Sequence, residues 1–579
     1  MNRQIFSVLM ILNVCAFIKS EVIEIDDGKL EGTVLKTRKG LDVYAFMNIP
    51  FAEPPIGRLR FHSPIPNRKW NGILNAKQFG PACMQNNDGP DESVSENCLQ
   101  LNVFTKELNS INLKPTIVYI HGGGYVAGSA VGYLPSYLLD RDIVLVTINY
   151  RLGPFGFLAT GTKDAYGNMG LKDQVLALKW VQKNIAHFGG NPDQVTISGL
   201  SAGSFSVTAQ MGSVMSQGLF HRAIGMSGAI TWQTGLDRDN MNLVKQVAKR
   251  LSCPINVDDM IPCLQTKSAK DIIQAGSRSY YGCLVMPWLP VVEQDFGQER
   301  LFTADQNKLF KSGKFNRVPV IVGITTDEFI SPVVPLLNNK ESLELLNNKF
   351  SEIASNCFYF RGNGIISTEK IAELLKKHYL PYDKIDKTSF NSLHHLCADG
   401  SIGYAVHRFA HYASPFTDVY YYKFSYSGRF SNFLYPRNKP YGIHHGDDNM
   451  YVLSTHYDPE IKESDPENFM VERMTRIWEQ FSKYGNPNKR NDEFLADLNW
   501  PKLDKTTEYF LDNGKHMVEK QGLYLERYHM WDSLDKSLMY SEKDESNEEI
   551  MFKIIKKNSD YNFVLSLNNS KIYNYRSLP

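Results

Sequence analysis

Gly199-Leu-Ser-Ala-Gly203 follows the apolar run Val195 to Ser198 without an intervening loop. Glycine two residues before and two residues after a serine, at the end of a strand-like run, predicts a sharp strand-to-helix turn. Side chains at the two glycine positions would clash inside such a turn, and the serine between them is presented above the sheet. The motif therefore demands a buried strand on one side and a helix packed back onto the same sheet on the other. Gly-x-Ser-x-Gly alone also describes many ordinary loops. A second element narrows the reading: His121-Gly122-Gly123-Gly124 follows the apolar strand Thr116 to Ile120, so a glycine tract can aim backbone N–H groups at a developing oxyanion. The two motifs in this order predict an acyl-transfer hydrolase with Ser201 as nucleophile.

Strand-like apolar runs recur at Thr116 to Ile120, Ile143 to Tyr150, Val195 to Ser198, Val318 to Ile324 and Val419 to Phe424, separated by helix-capable stretches. Continuous rather than alternating hydrophobicity suits a mostly parallel sheet covered on both faces. Between Leu171 and Phe188, Leu171, Val175, Leu178, Val181, Ile185 and Phe188 recur at helical spacing and mark one apolar face, with Lys172, Lys179 and Lys183 elsewhere. Strand–helix alternation predicts an α/β layer fold. No Pro/Ser-rich linker, internal repeat or low-complexity block interrupts the chain from about residue 25 to the Trp531 region. The expectation is one catalytic domain over 21–535 and a polar tail over 536–579. With 63 basic and 62 acidic residues and a net charge of +1, composition gives no electrostatic reason to expect nucleic acid or an anionic membrane as partner.

Residues 1–20 carry Arg3, an apolar run from Ile5 to Ile18, then Lys19 and Ser20. This layout predicts a signal peptide, too short for a comfortable membrane span, and hence a secreted, extracellular protein. Cys15 leaves with that segment. In an oxidising compartment the locally spaced pairs Cys83 with Cys98 and Cys253 with Cys263 are expected disulfides, which leaves Cys283, Cys357 and Cys397 unassigned. Asn568-Asn569-Ser570 is a glycosylation sequon in the tail. Phe563 to Leu565 is too short to span a bilayer, and no membrane anchor is expected.

Several separated segments carry a resemblance. Ile49-Pro-Phe-Ala-Glu-Pro-Pro-Ile-Gly-Arg-Leu-Arg-Phe61, Ser95-Glu-Asn-Cys-Leu-Gln-Leu-Asn102, Tyr150-Arg-Leu-Gly153, Gly167-Asn-Met-Gly-Leu-Lys-Asp-Gln174 and Phe220-His-Arg-Ala-Ile-Gly-Met-Ser-Gly228 resemble, in order and spacing, segments of the type-B carboxylesterase and cholinesterase family of α/β hydrolases. The resemblance runs from about residue 22 to 535. Gly323-Ile-Thr-Thr-Asp-Glu328 is similar to the family's acidic segment, which implies Glu328 as the triad carboxylate; Phe329 stands where family members usually have a small residue. Gly442-Ile-His-His-Gly-Asp-Asp448 resembles the histidine loop, which implies His445 as base over the adjacent His444. The same resemblance implies oxyanion donors from the N–H groups of Gly123, Gly124 and Ala202, structural ion pairs Arg60 with Glu96 and Arg151 with Asp173, and support of Glu328 by Ser227. No cofactor or metal is implied.

The implied chemistry is hydrolysis of small-molecule carboxylic esters, with odorant, xenobiotic or hormone esters as candidates. A cholinesterase reading fits less well, because Cys83 to Cys98 contains no aromatic residue and Leu200 stands where that branch has Glu. Juvenile hormone esterases usually carry Gln at that position. A noncatalytic binding relative is the rival from another class, distinguished by loss of the elbow serine that this chain retains; a slow-turnover esterase that sequesters its ligand keeps the same residues, and sequence does not separate it from an efficient catalyst.

Overall fold

The computed structural model describes residues 20–539 except 87–92, 233–235, 238, 278–285, 359, 361–365, 381–383, 433–440, 456–459, 489–491 and 496–497. Of the expected signal segment 1–20 only Ser20 is described, at the start of β1; residues 1–19, the tail after Met539, Asn568 and Cys283 lie outside the described residues. The principal strands are β1 (Ser20–Ile25), β2 (Gly28–Lys36), β3 (Asp42–Pro50), β4 (Gln100–Thr105), β5 (Lys114–Ile120), β6 (Val144–Ile148), β7 (Gly190–Leu200), β8 (Arg222–Met226), β9 (Val320–Thr325), β10 (Val419–Phe424), β11 (Tyr509–Asn513) and β12 (Met517–Gln521). They form one sheet in the order β1-β2-β3-β4-β6-β5-β7-β8-β9-β10-β11-β12, with the short strand Ile73–Asn75 beside β2. The block from β6 to β11 is parallel throughout, and antiparallel strands flank it at both edges. The five apolar runs read from the sequence are five of these parallel strands. Two strands of the block have no counterpart among those runs: β8, which is short and interrupted by Gly225, and β11, which is short and ends in Asp512 and Asn513.

Both faces of the parallel block are covered, which is why its strands lack an alternating pattern. Alternate side chains point to opposite layers. Val118 and Ile120 of β5 join one cluster with Ile197, Val322 and the helices α1 (Met169–Asn184) and α2 (Ala202–Met211). Ile117 and Tyr119 join the opposite cluster, with Ile321, Tyr420 and Tyr422. A third cluster belongs to a helical layer over one end of the sheet, built by α3 (Ile330–Asn338), α4 (Phe390–Ala398) and others around Leu336, Leu375, Leu396 and Trp531. The helix α5 (Asn468–Tyr484) supplies Met474, Ile477 and Phe481 to the second cluster. The last helix, α6 (Leu525–Met539), crosses the expected boundary at 535.

Helix α1 departs from the sequence expectation on its polar side. All six apolar positions are buried, but so is Lys172. Its Nζ donates to Glu293 Oε2 and to the Glu299 carbonyl, each at 2.9 Å, and lies 4.5 Å from the Tyr166 ring centroid. The partners come from distant segments, so helical periodicity gave no sign of them.

Two arginines fix the loops around the sheet. Arg60 makes a two-pronged contact with Glu96 at 2.7 and 2.6 Å and donates Nη1 to the Leu264, Gln265 and Lys267 carbonyls. Arg151 grips Asp173 at 2.8 and 2.7 Å and also donates its backbone N–H to Asp173 Oδ2. Disulfides join Cys83 to Cys98 and Cys253 to Cys263. Of the three cysteines left unassigned by spacing, Cys357 is disulfide-bonded and Cys397 is a buried free thiol.

Asp173 is fully buried, so removing only its partner strands a charge. Arg151→Met is expected to lower the unfolding free energy by about 3–5 kcal/mol, and Arg151→Met with Asp173→Leu to recover much of that loss. Denaturant unfolding checks this. A loss below about 1 kcal/mol for the single variant contradicts the role assigned to the pair.

Candidate active site

The carboxyl ends of the parallel strands collect the candidate residues at one edge, as expected for an open α/β sheet. Ser201 lies between β7 and α2 with φ 57° and ψ −124°, a conformation sparsely populated by L-residues and tolerated only where neighbours over-determine it. Its N–H donates to the Met226 carbonyl and its carbonyl accepts from Phe205 N–H, both at 2.9 Å. The flanking glycine has a steric cause: a Cβ on Gly203 would stand 2.0 Å from the Ile120 carbonyl oxygen.

The glycine tract at the end of β5 lies directly against this turn. A Cβ on Gly122 would be 2.7 Å from the Leu200 carbonyl oxygen and 3.1 Å from Ser201 Cβ. Gly123 and Gly124 follow at φ 107° and 61°. Among the described residues, no turn or loop hydrogen bond occupies the N–H groups of Gly123, Gly124 or Ala202. The Ala202 N–H is also the first of α2, where the helix dipole favours negative charge.

Glu328 follows β9, and its side chain is 1 % exposed. Oε2 pairs with His445 Nδ1 at 2.5 Å, while Oε1 accepts from Ser227 Oγ at 2.5 Å and from Thr325 N–H at 2.8 Å. Burial alone would raise the Glu328 carboxyl and lower the His445 imidazole. Their mutual attraction and hydrogen bond reverse both directions, so Glu328 lies below its usual range and His445 above its own. Asp448 and Asp447 add to the attraction on His445. The His445 Nε2 atom is buried and has no hydrogen-bond partner among the described residues, so it is free to accept a proton from a group brought to it.

Asp327, beside Glu328, is half-buried. Its N–H donates to the Ile443 carbonyl at 3.0 Å and its Oδ2 accepts from Ile443 N–H at 2.8 Å, which clips the acidic loop to the histidine loop. His444 is engaged elsewhere. Its Nε2 meets Ser331 Oγ at 2.8 Å, and burial pushes its imidazole down to about 4.

The structure thus pairs Glu328 with His445 and packs the glycine tract against the Ser201 turn. It adds two contacts absent from the sequence reading. His394 on α4 places Nε2 3.2 Å from the Glu328 carbonyl oxygen, and the Phe329 ring stacks on His445. Nothing in the Leu393-His394-His395-Leu396 pattern distinguishes this histidine from a packing residue. Leu200 packs toward the histidine loop, its Cδ2 being 3.0 Å from where a Gly446 Cβ would lie. Trp232 is buried against Phe205, with ring centroids 4.7 Å apart.

Residues 19–531 match the Carboxylesterase family. The chain is 36% identical over 509 residues to Esterase FE4 of Myzus persicae, with 83% of this chain and 87% of the relative covered. It is 32% identical over 519 residues to a juvenile hormone esterase of Tribolium castaneum, covering 85% and 87% respectively. It is also 32% identical over 504 residues to pyrethroid hydrolase Ces2e of Rattus norvegicus, covering 83% and 84%.

The Glu328–His445 contact generates a pH expectation. Only neutral imidazole accepts a proton, so the ascending limb of kcat/KM lies above the ordinary histidine value of 6.5. Glu328→Gln removes the negative charge that lifts the imidazole. Its limb is expected at lower pH, with a plateau reduced by about 1,000-fold or more. An unmoved limb in the variant contradicts the pairing.

Proposed function

The chain belongs to the carboxylesterase family of α/β hydrolases and is a carboxylic ester hydrolase; within that family we propose that it is a secreted serine esterase acting on neutral esters through an acyl-enzyme on Ser201. The observation that carries the proposal is the buried Ser227–Glu328–His445 chain, which ends in an unpartnered His445 Nε2 at the same sheet edge as the strained serine.

In the proposed reaction, Ser201 Oγ attacks the ester carbonyl carbon while His445 Nε2 takes the serine proton. The carbonyl electrons move to the oxygen, where the N–H groups of Gly123, Gly124 and Ala202 receive the negative charge. Collapse of the tetrahedral species expels the alcohol, which leaves with the proton held by His445. Water then repeats the sequence on the acyl-enzyme, releasing the acid and restoring Ser201. Glu328 accepts from Nδ1–H throughout, fixing the tautomer and stabilising the imidazolium.

The preference for neutral esters is supported by Leu200 beside the nucleophile and by the aromatic-free Cys83 to Cys98 segment. A desolvated cation held on an aromatic face gains up to about 2 kcal/mol, a roughly 30-fold factor that this site does not supply from either position. Relatives named as a juvenile hormone esterase and a pyrethroid hydrolase accord with an apolar, uncharged substrate class. Secretion is supported by the layout of residues 1–20 and by disulfides that persist in an oxidising compartment.

An organophosphate is expected to label Ser201 stoichiometrically and abolish turnover, as read by peptide mass spectrometry. His445→Ala should lower kcat on the order of 10⁴-fold, and His444→Ala far less. Near-normal turnover by Ser201→Ala, or the reverse ranking of the two histidine variants, rules the assignment out. For the substrate class, acetylthiocholine is compared with the isosteric 3,3-dimethylbutyl thioacetate. The neutral ester is expected to show the higher kcat/KM, and equality or reversal argues for a cholinesterase.

A further inference from the structure

Phe329, the residue after the proposed triad acid, takes φ 51° and ψ 35°. In this left-handed region a bulky side chain is an outlier, whereas glycine enters it without steric cost. The side chain does not use the turn to reach solvent, since Phe329 is only 7 % exposed. Its ring instead lies over the His445 imidazole, with centroids 4.6 Å apart and planes inclined by 24°. A conformational penalty that glycine would avoid is therefore retained together with an aromatic face over the base.

The geometry points to Phe329 as a positioning residue for His445: its ring fixes the plane of the imidazole, and its π face favours the imidazolium formed as Ser201 loses its proton. The inference rests on the triad assignment proposed above. Glu328 restrains the imidazole at one edge through Nδ1, and that single contact leaves rotation about the hydrogen-bond axis open. A ring stacked on the face closes that freedom. The attraction of a π face for a cation is weak for neutral imidazole and strong for imidazolium, so it grows as the O–H bond of Ser201 breaks and the proton reaches Nε2. The ring acts through the imidazole, so the effect belongs in kcat more than in KM.

The base is surrounded by other titratable groups. Glu328 and Asp327 lie on the loop after β9, His444, Asp447 and Asp448 on its own loop, and His394 on α4. None of these groups is removed by substitution at 329, so a limb shift that appears with leucine and is reversed with tyrosine reports the loss of the ring.

The test measures kcat and KM for p-nitrophenyl acetate across pH in Phe329→Leu and Phe329→Tyr. Leucine fills space without a π face. It is expected to lower plateau kcat by about 10-fold, leave KM within about 2-fold and move the ascending limb down by about 0.5 to 1 pH unit. Tyrosine keeps the ring and is expected to restore both the rate and the limb. If Phe329→Leu does not fold, Phe329→Met carries the same comparison. A leucine or methionine limb that coincides with wild type, or a tyrosine variant no better than the apolar ones, overturns the inference. His445→Ala measured in parallel separates the two levels: wild-type turnover there removes the triad itself, whereas an inactive His445→Ala beside a wild-type-like Phe329→Leu removes only the role of the ring.

Discussion

Glu328 is a carboxylate at a place with almost no water, and its ionised state has to be created by the protein around it. Burying an isolated charge costs several kcal/mol even after relaxation. Here Ser227 Oγ, Thr325 N–H and His445 Nδ1 replace the lost solvation, each hydrogen bond to a charged group contributing about 1.5–3 kcal/mol. The stabilised carboxylate then holds His445 in a raised basicity and in the tautomer that leaves Nε2 open. Three strand ends must meet for this to happen: Ser227 follows β8, Thr325 ends β9 and His445 lies on the long connection after β10.

The remaining architecture keeps that meeting point in register. Parallel pairing sets Gly199 opposite both Ile120 and Gly225, which brings the serine turn, the glycine tract and the Ser227 turn to a common level. Asp327 clips the acidic and histidine loops together through Ile443. Arg60 and Arg151 tie the segments beneath them to the sheet without entering the chemistry. At this edge Ser201, Ser227 and Phe329 all adopt positive φ. Each is held by contacts from a different element, so the cost is met by tertiary structure rather than by local propensity.

The serine turn was legible in the sequence because its requirement is local. Gly203 has to be glycine where the Ile120 carbonyl passes so closely, and that demand leaves a five-residue signature. The parallel strands were legible for a related reason, since burial on both faces leaves uninterrupted apolar runs. The antiparallel edges, β8 and β11 were not, being short, mixed in polarity or broken by glycine. Choosing Glu328 over Asp327, and His445 over His444, required a resemblance, because adjacent identical or similar residues carry no local distinction. In the structure Asp327 is bound to the Ile443 backbone and His444 to Ser331, which supports the proposed choice. His394, Lys172 and the state of Cys357 depend on partners far away in sequence, which no spacing rule reaches.

The central claim is that Glu328 holds His445 through a short, charge-assisted hydrogen bond at Nδ1. Proton NMR of the uninhibited enzyme, recorded as pH is lowered through the His445 transition, tests it most directly, because a proton in such a bond is strongly deshielded and protected from exchange. The account predicts a resonance well downfield of the amide envelope that titrates with the activity limb, disappears in Glu328→Gln and His445→Ala, and persists in His444→Ala. Absence of that resonance in the wild type at every pH, or its survival in Glu328→Gln, would contradict the account.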